Sequence, residues 1–329
     1  MAPNEHLKGG STSRATLFER LTALRATAGL DRKHPDLTFS LLPWVLGSRP
    51  YRGKPVDLFF LGATLLAARY EELGLLQRLP FDRVWVGVRS RRPAFGGFHH
   101  PDQGYRHLQM GAVITRYGDL ADHTGLRPEL VALDLLRAYA HDCLHYGTYR
   151  EYRLWGDEIG RARYGINSRA RDGRTYSSPD PAGSTSTRNL GIVMEGATDR
   201  EAKAVTRQAA QRAKVSEPSA SPDRYLFRDV TGSLEAGDLM VLRDPVQRLA
   251  ASRSIESDDF LRRMGVYNSD VGARYELFLA EIGRDEAEDL HTVILGAMIS
   301  GSLTRLSDWL DRRHGPKTFT TLFKASSVV

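Results

Sequence analysis

Between Pro128 and Tyr152, Leu130, Leu133, Leu136, Ala140 and Leu144 recur at spacings of three and four, the period of one helical face. Pro128 suits a first turn, where its missing N–H is not needed. The expected helix carries the run Ala140-His141-Asp142-Cys143-Leu144-His145. Residues four apart on a helix share a face and lie about 6 Å apart along the axis, so both imidazoles can converge on one cation. Ten histidines in 329 residues give about 0.3 chance His-x-x-x-His pairs, and roughly 0.04 with an acid after the first His. His141 and His145 are therefore candidate metal ligands.

His141-Asp142-x-x-His145 resembles the His-Glu-x-x-His helix of the zincin metallopeptidases, with aspartate in place of glutamate. Two histidines leave zinc short of protein ligands, so a third must come from elsewhere. Glu195-Gly196-Ala197-Thr198-Asp199 resembles the Glu-x-x-x-Asp of the gluzincin branch. The resemblance implies Glu195 as third ligand and Asp199 as the carboxylate that orients His141 from behind. Glu281 and Asp285 repeat the same spacing, but in the acidic segment EIGRDEAED. Glu195 instead follows the apolar run Leu190 to Met194 and precedes small residues that admit a close helix neighbour. The resemblance also implies an edge strand beside the metal helix to which substrate adds, and Leu108–Tyr117 stands at a suitable distance.

A zinc ion held this way keeps an open position for water and lowers its pKa from 15.7 towards about 7. Asp142 then stands as general base. Aspartate is one methylene shorter than glutamate, and a carboxylate displaced by about an ångström can cost on the order of 10²-fold in rate. A donor to the developing oxyanion is also required, and Tyr267, Tyr275 and His291 are the available groups downstream. Cys143 points to another helix face and reads as a small buried hydrophobe. Arg161, Arg163, Arg169, Arg171 and Arg174 read either as a lid facing an anionic substrate or as a solvated loop.

The rest of the chain gives an α+β class, mostly helical, with a small mixed sheet beside the metal helix and a helical C-terminal part. Three regions are expected: a tail and helical preface over 1–80, a metal-site domain over 81–214, and a helical domain over 215–329. Residues 1–13 read as a frayed tail, and helices are expected over Arg14–Ala28 and Val56–Leu76. Val84, Val86 and Val88 mark a strand, with a Gly-, Pro- and His-rich loop containing His99 and His100 before the strand Leu108–Tyr117. Residues 165–189 lack periodicity, a helix runs from Asn189 to about Ala213, and a long helix from Asp285 to Arg313 stops at Gly315–Pro316.

Composition narrows the classes. A single cysteine excludes an internal disulfide framework and a cysteine-based zinc site. The net charge of +6 is carried by scattered arginines, so nucleic acid is not a required partner. The most apolar run, Leu58 to Ala68, is about half a bilayer span. With no apolar run and cleavage site among the first thirty residues, the expectation is cytoplasmic, with no membrane partner. The leading reading is zinc-dependent hydrolysis of a peptide or small amide. A rival reads His141-Asp142 as the metal pair of an HD-type phosphohydrolase, with His107 or His123 upstream and Asp199 downstream. A zinc enzyme of other chemistry and a non-catalytic basic binding protein complete the set.

Overall fold

The computed structural model describes residues 4–27, 35, 37–90, 96–100, 106–110, 119–120, 125–172, 174–177, 179–181, 183–235, 265 and 267–324. Strand β1 (Glu5–Leu7) leads into α1 (Ser11–Thr27), β2 (Leu37–Leu41), α2 (Leu42–Gly47) and α3 (Lys54–Glu72). Strands β3 (Val84–Ser90), β4 (Gly96–His100) and β5 (Arg106–Met110) precede α4 (Pro128–Gly147). Then come β6 (Arg150–Trp155), β7 (Glu158–Tyr164), β8 (Asn167–Ser168), α5 (Leu190–Arg212) and α6 (Asp223–Thr231). The C-terminal part contains α7 (Arg274–Phe278) between two π-helical turns, followed by α8 (Ala287–Ser300), α9 (Thr304–His314) and α10 (Thr318–Phe323).

The class is α+β and mostly helical, with two small mixed sheets. One has the order β1-β6-β7-β8, with β1 parallel to β6; the other has β2-β3-β5-β4, with β3 parallel to β5. Among the described residues no helix is long and apolar enough to cross a membrane.

α4 is buried along almost its whole length, because its leucines and alanines meet α3 on one side and α5 on the other. Its larger core holds Phe59, Leu66, Leu133, Leu136, Val205 and Leu226. A second core joins the first turns of α5, Leu190 to Ala197, to Tyr275, Phe278, Ile294 and Trp309. α5 thus belongs to both cores, with Glu195 on the part that packs in the second core and Asp199 between Ala197 and Ala202, where the core changes.

Several expectations need correction. The N-terminal segment is not wholly frayed: Glu5–Leu7 pairs in parallel with Arg150–Tyr152, which secures the backbone donors and acceptors that a tail would leave to water. His99 and His100 lie in strand β4, antiparallel to β5, where a loop was expected. The described part of the expected substrate strand, β5, is interior between β3 and β4, so both its backbone edges are engaged; residues 111–117 lie outside the described residues. α4 ends at Gly147, and the charged segment after it folds into the β6–β7 hairpin. The expected Asp285–Arg313 helix is two helices, because Gly301 adopts φ 68° and donates to the Ala297 carbonyl at 2.9 Å. Left-handed glycine is a standard way to end a helix. The next helix does stop at Gly315.

Candidate metal centre

Each end of the site is fixed by a local device. α5 begins at Leu190 because the Asn189 side chain accepts hydrogen bonds from the backbone N–H of Gly191 at 2.8 Å and Ile192 at 3.3 Å. The C-terminal carbonyls of α4 are satisfied by Arg150 of β6, fully buried, whose guanidinium donates to His145 O, to Tyr146 O at 2.9 Å and to Thr148 O at 3.3 Å. A cation there also complements the negative end of the helix dipole. The turn carrying His145 is therefore held in place from β6.

α4 and α5 face each other through two polar ladders of four-residue period, Arg137, His141 and His145 against Lys203, Asp199 and Glu195. His145 Nε2 lies 3.1 Å from Glu195 Oε2, His141 Nε2 lies 3.2 Å from Glu195 Oε1, and the two Nε2 atoms are 3.0 Å apart. One rung along, Arg137 donates to Asp199 Oδ1 at 3.0 Å, and Lys203 meets Asp199 Oδ2 at 2.7 Å and Asp229 Oδ1 at 3.2 Å. Asp199, expected behind His141, is thus in close contact with Lys203 and Arg137, and its Oδ1 lies 3.9 Å from His141 Nδ1.

The triplet is backed by hydroxyls. Tyr164 of β7 sits with its hydroxyl 2.6 Å from His145 Nδ1, and the Tyr267 hydroxyl donates to Glu195 Oε1 at 3.1 Å. Burial, which disfavours phenolate, pushes Tyr164 up to about 12. Burial also raises Tyr267 well above the ordinary value, with the charges of Asp199 and Glu195 adding to it, so both phenols keep their protons at neutral pH. Burial opposes the charged form of His141, but the neighbouring Glu195 and Asp199 carboxylates outweigh it and its pKa is raised. Burial would raise Glu195, yet the two imidazoles hold it well below the usual carboxylate range.

Whether these residues suit a cation can be tested on geometry. Tetrahedral zinc with bonds of 2.0–2.1 Å sets its ligand atoms about 3.3–3.4 Å apart, and the observed separations of 3.0–3.2 Å are close to that edge. The ligand atoms of His141, His145 and Glu195 all lie within 4.8 Å of one another. His141 Nδ1 is buried without a hydrogen-bond partner, next to Asp199. Arg137 and Lys203 against Asp134, Asp199 and Asp229 already leave one carboxylate in excess before Glu195 is counted. A bound dication would meet that excess, so the residues fit.

The other expected residues divide. Tyr267 joins the triplet through Glu195. His291 does not: its Nδ1 is 2.7 Å from the Tyr275 hydroxyl and its Nε2 is 2.9 Å from Glu201 Oε1, so both ring nitrogens are committed to a separate buried cluster. His291 and Tyr275, the other two expected oxyanion donors, thus bond to each other and to Glu201 rather than to the triplet. Asp142 is buried at 3% exposure, about 60° around the helix from His145. Cys143 is fully buried and its thiol is pushed up to about 12 by burial, as suits an inert core residue. Of the rival metal ligands, His123 lies outside the described residues, and of His107 the described part is its backbone in β5.

Sequence reading missed Tyr164, Arg137 and Arg150. Arg137 was within reach, since 137, 141 and 145 continue one helical stripe. Tyr164 depends on the hairpin, whose signal was Gly156-Asp157 between the two strands. Compared with known protein families, curated proteins and solved structures, the chain matches none.

Proposed function

We propose that this protein is a zinc-dependent hydrolase of gluzincin type that cleaves a peptide or small amide bond. The observation that carries the reading is the convergence of His141 Nε2, His145 Nε2 and a Glu195 oxygen within 4.8 Å, from two helices whose facing stripes repeat every four residues. When bound, zinc supplies an open coordination position and lowers the pKa of water there towards about 7.

The side chains divide the remaining work. His141 and His145 present Nε2 as neutral ligands, which requires Nδ1 to carry the proton. For His145 that proton points to the Tyr164 oxygen at 2.6 Å; for His141 it points towards Asp199. A hydrogen-bonding partner behind a ligand, as Tyr164 is to His145, fixes its tautomer and raises its basicity. Asp142 accepts the proton of the attacking water and returns it to the leaving amine. Tyr267, kept protonated by its surroundings, holds Glu195 in orientation and is the hydroxyl assigned to a developing oxyanion. The reaction adds one water across the C–N bond: its oxygen joins the acyl carbon and its proton leaves on the amine.

Elemental analysis of freshly purified wild type and His145→Ala tests this reading. One zinc per chain, lost in the variant, is expected. Iron, manganese or magnesium held equally by both would favour the HD-type phosphohydrolase. Wild type without stoichiometric metal would leave a basic binding protein.

A further inference from the structure

The arginines around the centre are mostly committed to carboxylates. Arg153 donates to Glu151 at 2.7 Å, Arg174 to Asp172 at 2.6 Å and Arg188 to Glu281 at 2.9 Å. Arg161 and Arg169 differ. Among the described residues neither has a carboxylate within 4.0 Å, and the Arg161 guanidinium rests 4.5 Å from the ring centroid of Tyr164, the same ring that backs His145. Both arginines line a cavity of about 210 Å³ whose wall also includes His145, Tyr164 and Glu195.

Charge and size select the ligand. Glu195 is the one carboxylate among the described lining residues, and it is committed to the two imidazoles. With a dication on the triplet, two guanidiniums make the space strongly cationic, so it favours an anion. The guanidinium fork matches a carboxylate better than a point charge does. At about 210 Å³ the space is smaller than the roughly 300–1,000 Å³ of pockets for larger ligands, and suits a single residue. β5, the described part of the strand expected to take an extended substrate, is paired on both sides, by β3 and β4.

We propose that the substrate ends in a free carboxylate, one residue beyond the amide that is cleaved, and that Arg161 and Arg169 hold that carboxylate. The inference rests on the zinc-hydrolase reading and assigns it a C-terminal, exo-acting substrate class.

Titration calorimetry of zinc-loaded protein with 3-mercaptopropionate and its methyl ester tests it, because both probes carry the same thiol and only the acid carries the charge. The acid should bind at least roughly tenfold more tightly. The difference should vanish in Arg161→Ala/Arg169→Ala, with the ester's affinity and the zinc content unchanged, which also shows that the variant folds. Equal affinities in the wild type with one zinc per chain would overturn the carboxylate assignment alone. Tighter binding of inorganic phosphate than of the acid would overturn it in favour of a phosphoryl substrate. Failure to bind zinc at all would overturn the metal reading, and this inference with it.

Discussion

The Tyr164 hydroxyl lies 2.6 Å from Nδ1 of His145 and thereby leaves Nε2 facing Glu195. The relationship is built by β-sheet register. Tyr164 is paired with Arg150 across the β6–β7 hairpin, and Arg150 caps the turn of α4 that carries His145. One hairpin therefore sets both the backbone and the ring of a candidate ligand.

Tyr164→Phe keeps the ring beneath Arg161 and removes only the oxygen. Zinc affinity should fall about 10–100-fold, the usual range for a partner behind a metal ligand, as read by competition with a chromogenic chelator. Unchanged affinity would show that the hydroxyl does not orient His145.

Asp142→Asn removes the proposed proton acceptor and preserves side-chain size. Turnover of an amide substrate should fall about 10²–10⁴-fold with zinc content unchanged. Steady-state kinetics alongside elemental analysis would separate this from loss of metal, and a retained rate would assign the base to another group.

Gly196 adjoins Glu195 where α5 passes Tyr275; a Cβ there would lie 2.4 Å from the Tyr275 Cβ. Gly196→Ala should therefore cost about 1–3 kcal/mol, as overpacking does, read as a lower midpoint in denaturant unfolding. It should also weaken zinc binding, because relief of the clash moves the turn that carries Glu195.

Glu201 lies in the second buried cluster. Burial raises its pKa, but hydrogen bonds from His291 and Arg69 outweigh it and hold the carboxyl at about 2 rather than 4.5. The unfolded chain then binds a proton more readily than the folded one, so this contribution is full above pH 4.5 and is lost as pH falls towards 2. Its size is up to roughly 3 kcal/mol. Urea unfolding followed against pH should show that decline in the wild type and a flatter, lower profile in Glu201→Gln.

Much of the centre is legible in local sequence because its ligands lie on helices with clear periodicity. His141 and His145 follow from α4, and Glu195 was separable from Glu281 by its small neighbours, one of which, Gly196, touches Tyr275 as a close helix contact requires. What escaped depends on long-range pairing. The strands of REYRLW and EIGRARY are rich in charge, and it is their pairing with each other, with β1 and with β8 that makes them strands. Tyr164 came with them. The place of His291 was hidden for a different reason: residue type alone does not reveal that both nitrogens are engaged by Tyr275 and Glu201.

The most direct test of the centre is zinc K-edge absorption spectroscopy on the purified, zinc-loaded protein. The account predicts two imidazole nitrogens and a carboxylate oxygen at about 2.0–2.2 Å, with one light ligand more, and loss of an imidazole contribution in His145→Ala. A shell of oxygens alone, or a spectrum indifferent to that substitution, would contradict it.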